Sequence, residues 1–82
     1  MHVNDLTDRI LGAAVAIHTE SGRGLLKSVY EAVLVRALEK RGLRLRRQQA
    51  IRLEHDGITI EEAFRADLIV EDRVIVEIKS AA

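Results

Sequence analysis

Three side chains near the C-terminal end carry the chemistry this sequence offers: Asp67, Glu77 and Lys79. Two carboxylates are hard oxygen ligands, and magnesium takes one or two of them while keeping several waters. A lysine beside such an ion can orient an attacking water or offset charge on a phosphoryl group. Whether the three meet depends on the segments that hold them.

Those segments are Phe64–Val70 and Val74–Lys79, joined by Glu71-Asp72-Arg73. Side chains alternate faces along a strand. Phe64, Ala66, Leu68 and Val70 share one face of the first, and Val74, Val76 and Ile78 share one face of the second. Matching the two apolar sets puts Val70 opposite Val74, Leu68 opposite Val76 and Ala66 opposite Ile78. On the other face Ile69 meets Ile75, Asp67 meets Glu77, and Lys79 lies opposite Arg65. The loop has no glycine for a left-handed position, but Asp72 can take it. Opposed residues have Cβ atoms roughly 5 Å apart, and like charges there repel. One carboxylate must then take a proton, or a cation must sit between them. The ordinary alternative is an exposed acidic face neutralised by Lys79 or Arg65. A slip of one residue would put Glu77 on the other face and remove the site.

The elements upstream must back this sheet. Asn4 is a candidate N-cap, and Leu6, Ile10, Ala13, Ala14 and Ile17 recur at helical spacing, which predicts a helix over about Asp5–Thr19. Ser21-Gly22-Arg23-Gly24 breaks it. Leu26, Val29, Tyr30, Val33, Leu34, Ala37 and Leu38 form the apolar stripe of a second helix, with Gly42 suited to its C′ position. Lys27, Glu31, Arg36 and Glu39 read as its solvated face. After Gly42 the period becomes two, interrupted at Arg47-Gln48-Gln49-Ala50. Asp56-Gly57 is a hairpin signal, and Ile58 and Ile60 begin the return strand. The expected fold is α+β: two N-terminal helices on a roughly four-stranded antiparallel meander, a single domain over 1–82.

Composition narrows the function classes. The 82 residues carry 13 basic and 13 acidic side chains, so total charge draws the chain toward neither nucleic acid nor membrane. There are no cysteines, which excludes disulfides and thiolate metal sites. Tyr30 and Phe64 are the only aromatic residues, too few for a base-stacking platform. His2, His18 and His55 stand at no zinc-ligand spacing; His18, at the end of the first helix, can lie near a metal or be an ordinary histidine of a helix C-terminus. Gly22 and Gly24 lack the Gly-Lys-Ser or Gly-Lys-Thr that a phosphate-cradling loop needs. No apolar run spans a bilayer and no signal-peptide layout opens the chain, so a cytoplasmic protein is expected. Arg44, Arg46 and Arg47 form a local basic cluster that can contact phosphates, or a charged edge strand that resists aggregation.

Ile10-Leu11-Gly12-Ala13-Ala14, Gly22 to Glu31, and the pair Phe64–Val70 with Val76–Lys79 together give a resemblance over about Leu6–Lys79. The chain resembles the GxxExxY proteins, a branch of the PD-(D/E)xK nuclease superfamily. The resemblance implies a partial PD-(D/E)xK core and a nucleic-acid substrate. Asp67 would be the metal-binding aspartate, Glu77 and Lys79 the E-x-K pair, and the Ile78 carbonyl a further ligand for Mg2+ or Mn2+. Gly24 and Tyr30 match the motif for which the branch is named, but Lys27 stands at its glutamate, where an inward ammonium would repel a cation. Arg23 and Ser21 stand where the family has proline and leucine. The family also continues past the E-x-K strand into another helix and strand. The resemblance therefore predicts a bare sheet face, covered by a second copy or a partner chain. Its functional alternative is a catalytically inactive interaction module.

Overall fold

The computed structural model describes residues 1–79. Helix α1 covers Val3–Ser21 and α2 covers Lys27–Lys40; strands β1 (Leu45–His55), β2 (Ile58–Val70) and β3 (Val74–Val76) form one antiparallel sheet in the order β1-β2-β3. The α+β class and the two leading helices are as expected. The meander has three strands among the described residues rather than about four. The return strand from Ile58 and the strand at Phe64 are one continuous β2.

Helix α1 starts two residues early. The His2 ring, not Asn4, caps it, with Nδ1 accepting the Asn4 N–H at 3.0 Å. Leu6, Ile10, Ala13 and Ile17 bury along one stripe, as their spacing requires. Helix α2 is turned relative to its apparent stripe. Glu31, Leu34, Val35 and Leu38 are its buried residues, while Leu26, Val29 and Val33 are exposed. Two hydrogen bonds close it, Gly42 N–H to the Glu39 carbonyl at 2.9 Å and Leu43 N–H to the Leu38 carbonyl at 3.2 Å. This is the paired closure of a Schellman end.

The turn Asp56-Gly57 has both residues at positive φ (49° and 76°), the primed geometry that matches strand twist. The second loop is the expected three residues, with Glu71 and Asp72 both left-handed. Arg44 and Glu71 lock it to β1: Glu71 N–H donates to the Arg44 carbonyl at 2.8 Å, and Arg44 N–H donates to Glu71 Oε2 at 2.6 Å. The register across it is Val70–Val74, Ile69–Ile75 and Leu68–Val76.

The core lies between the helices and one end of the sheet. Leu6, Leu34, Leu38, Leu68 and Val70 are fully buried there, and Ala66 beside them is closed to solvent. Phe64 does not join it and stays 48 % exposed. The other end of β1 and β2 projects past the helices. The Cα radius of gyration of 14.3 Å accordingly exceeds the ~12 Å of a compact chain this long.

Candidate active site around Asp67

Asp67 lies in the last third of β2, between the buried Ala66 and Leu68. It is only 5 % exposed, so its carboxylate needs partners. Oδ2 accepts the Ile78 backbone N–H at 2.8 Å and lies 3.2 Å from Lys27 Nζ. Oδ1 accepts from Gln48 Nε2 at 3.2 Å. The Ile78 amide is the strongest influence holding the carboxyl below its ordinary value of 3.8. Burial opposes it, and the hydrogen bonds from Lys27 and Gln48 add to it.

The Ile78 contact also explains a departure from the expected register. Ladder pairing stops at Leu68–Val76, and β3 ends at Val76. The next inward donor, the Ile78 amide, goes to the Asp67 side chain rather than continuing the ladder. Asp67–Glu77, Ala66–Ile78 and Lys79–Arg65 are therefore not ladder pairs. Glu77 and Lys79 lie in the irregular segment beyond the strand, and both are exposed. Ile78 itself is buried.

Two residues that the sequence pattern did not mark complete the cluster. Glu31, on the face that the spacing predicts to be solvated, is 6 % exposed. Its carboxylate accepts from Gln48 Nε2 at 3.3 Å on both oxygens and from Arg47 Nε at 3.4 Å. Gln48 thus bridges the carboxylates of Glu31 and Asp67 with one amide group. It does so from a left-handed backbone, φ 48°, that sits between the ladder pairs Arg47–Leu68 and Gln49–Ala66. A non-glycine residue in that region inside a strand stores local strain. The signals were present in the sequence: Glu31, Leu34, Val35 and Leu38 follow helical spacing, and Arg47–Ala50 breaks the strand alternation.

The motif residues divide by role. Gly24 has φ 98°, a backbone that side chains resist, and nothing crowds the place a Cβ would occupy, so the requirement there is conformational. Tyr30 packs against the core and its hydroxyl donates to the Ala14 carbonyl at 3.5 Å, tying α2 to α1. Lys27, read from sequence as solvated, turns its ammonium to Asp67 while its side chain stays 47 % exposed. His18 is exposed and closes α1 through its carbonyl, which accepts the Gly22 N–H. The basic cluster is paired: Arg44 with Glu71, Arg46 with Asp72, Arg47 with Glu31. Arg52 and Arg65 along the same strands also meet carboxylates, of Glu54 and Glu62. Such a surface matches the edge-strand reading, although exposed pairs are weak enough to exchange for a phosphate.

Two helices, a three-stranded antiparallel sheet and a buried aspartate latched to the following strand segment are consistent with a partial nuclease core of the PD-(D/E)XK type. Comparison with known families agrees: the PD-(D/E)XK nuclease superfamily matches residues 4–82, almost the whole chain. The chain belongs to that superfamily. No curated protein and no solved structure matches it. No helix among the described residues is long and apolar enough to cross a membrane.

Nucleases of this superfamily generally use Mg2+ or Mn2+. With the Lys27 ammonium on Asp67 the residues do not fit such an ion unless the ion displaces that ammonium. Asp67 Oδ2 is shared by the Ile78 amide and an ammonium, and Oδ1 is engaged by Gln48. Among the described residues no group of three or more histidine, cysteine, aspartate or glutamate side chains is arranged to hold a metal.

Proposed function

We propose that the chain is a nuclease-type domain of the GxxExxY branch, directed at nucleic-acid phosphodiesters, with its reaction centre at Asp67, Glu77 and Lys79. One observation carries this reading. The Ile78 amide is bound to Asp67 Oδ2 at 2.8 Å. That bond ties the aspartate of one strand to the E-x-K segment of the next, the two halves a phosphodiesterase of this class must bring together. Asp67 is held ionised by that amide and by Lys27. Glu77 and Lys79 flank Ile78 and face solvent, where a substrate's phosphate can reach them.

The test is cleavage of end-labelled single- and double-stranded DNA and RNA with millimolar Mg2+ or Mn2+. Cleavage lost in Glu77→Ala and Lys79→Ala supports the reading. No metal-dependent cleavage by the wild type or by Lys27→Glu would sink it.

A second reading is favoured by the Lys27–Asp67 pair: a non-catalytic module of the same fold. Such a module would bind a second copy or a partner chain through the exposed apolar residues Leu53, Ile58, Ile60 and Phe64. Light scattering tests the self-association arm. A dimer dispersed by Phe64→Ser together with Ile60→Ser supports it, and a monomer at high concentration removes that arm.

A further inference from the structure

Lys27 is poorly placed for its own helix. It is the first residue of α2, whose first turn has no acidic side chain, and a cation there opposes the helix dipole. What it gains is Asp67: its ammonium lies 3.2 Å from Oδ2, against a side chain that is 7 % exposed. The surroundings balance in charge. The buried carboxylates of Asp67 and Glu31 face the cations Lys27 and Arg47, and the neutral Gln48 amide bridges the acids. Removing Lys27's charge would leave two carboxylates linked by one amide and a single guanidinium to offset them.

We propose that the Lys27 ammonium is a built-in cation that occupies, at Asp67, the position a divalent ion would take, and so sets the metal affinity of this chain. The proposal rests on reading Asp67 as the metal-facing carboxylate of the site. Lys27 competes by occupying an oxygen and by adding a like charge a few ångströms from any incoming ion. At that range, with the partial screening of a half-exposed side chain, repulsion of a divalent ion weakens binding on the order of tenfold or more. Because the side chain is tethered, its local concentration at Asp67 is high and independent of solution conditions. Lys27 is here a positioning and occupancy residue, and the proposal gives it no part in bond breaking.

The experiment is calorimetric titration of Mn2+ into four proteins: the wild type, Lys27→Gln, Lys27→Glu, and Lys27→Gln combined with Asp67→Asn. Each is first checked by thermal melting. Lys27→Gln is expected to bind roughly tenfold more tightly than the wild type, and Lys27→Glu more tightly still, since it adds a ligand and suits the helix dipole. The double variant is expected to lose the gain. Equal affinity in the wild type and Lys27→Gln overturns the proposal, as does a gain that survives Asp67→Asn. The two readings fail separately. A gain in binding without cleavage leaves this proposal standing and removes the nuclease reading. Wild-type binding and cleavage without any gain does the reverse. No binding by any of the four overturns both.

Discussion

The two ends of the β1–β2 hairpin are made alike and behave differently. At the root, Leu45–Ala50 pairs with Arg65–Val70 under the helices, and Ala66, Leu68 and Val70 are closed to solvent. At the tip, Leu53–His55 pairs with Ile58–Ile60 in the same ladder, yet Leu53, Ile58, Ile60 and the neighbouring Phe64 remain about half exposed or more. Both ends alternate apolar and polar residues over part of their length, with breaks at Arg47–Ala50 in the root and at Glu61-Glu62 toward the tip. Only the root has something packed on it. Alternation therefore marks a strand but not its burial, and the buried carboxylate of Asp67 lies where cover begins.

Substitutions can break this contrast. Leu68→Ala at the root should cost about 2–5 kcal/mol by urea denaturation, because a fully enclosed side chain leaves a cavity. A loss under 1 kcal/mol would show that the root is not the core. Asp67→Ala should cost about 1–3 kcal/mol by leaving the Ile78 amide without its acceptor. Asp67→Asn, which keeps an oxygen, should cost less.

Acid should separate the ends too. The folded-state value of Asp67 lies below its unfolded one, so its contribution is complete above the unfolded value and is lost as pH falls through the folded one. Stability should drop below about pH 4, and Asp67→Asn should blunt that drop in melts taken across pH 2–6. Gly57→Ala, at φ 76°, should lower stability by about 1 kcal/mol through the turn alone. Phe64→Ala at the tip should have the smallest effect, within roughly 0.5–1 kcal/mol; a larger loss would mean that something covers the tip in solution.

What the sequence made legible follows from local rules. The α1 stripe, the Asp56-Gly57 turn, the three-residue second loop and the register through Leu68–Val76 all depend on neighbours in the chain, and they stand as read. The buried face of α2 is not legible in the sequence, because Val29 and Val33 are apolar yet exposed while Glu31 is charged yet buried. Only the partners Gln48 and Arg47, brought in by the sheet, make a buried glutamate tolerable there. The continuity of β2 was hidden by Glu61-Glu62, which break the alternation at the projecting end of the hairpin. At Asp67 the sequence offers the aspartate as a candidate but not its surroundings. An ion pair to the start of α2 and a bond to the Ile78 amide are tertiary contacts that no spacing announces.

The most direct measurement follows the Ile78 amide proton by NMR as pH is lowered. If this amide holds the Asp67 carboxylate, its resonance moves upfield as the acid protonates, with a midpoint below 3.8, and the movement disappears in Asp67→Asn. An Ile78 amide that does not titrate, or that titrates alike in both proteins, would mean that the two halves of the site are not joined.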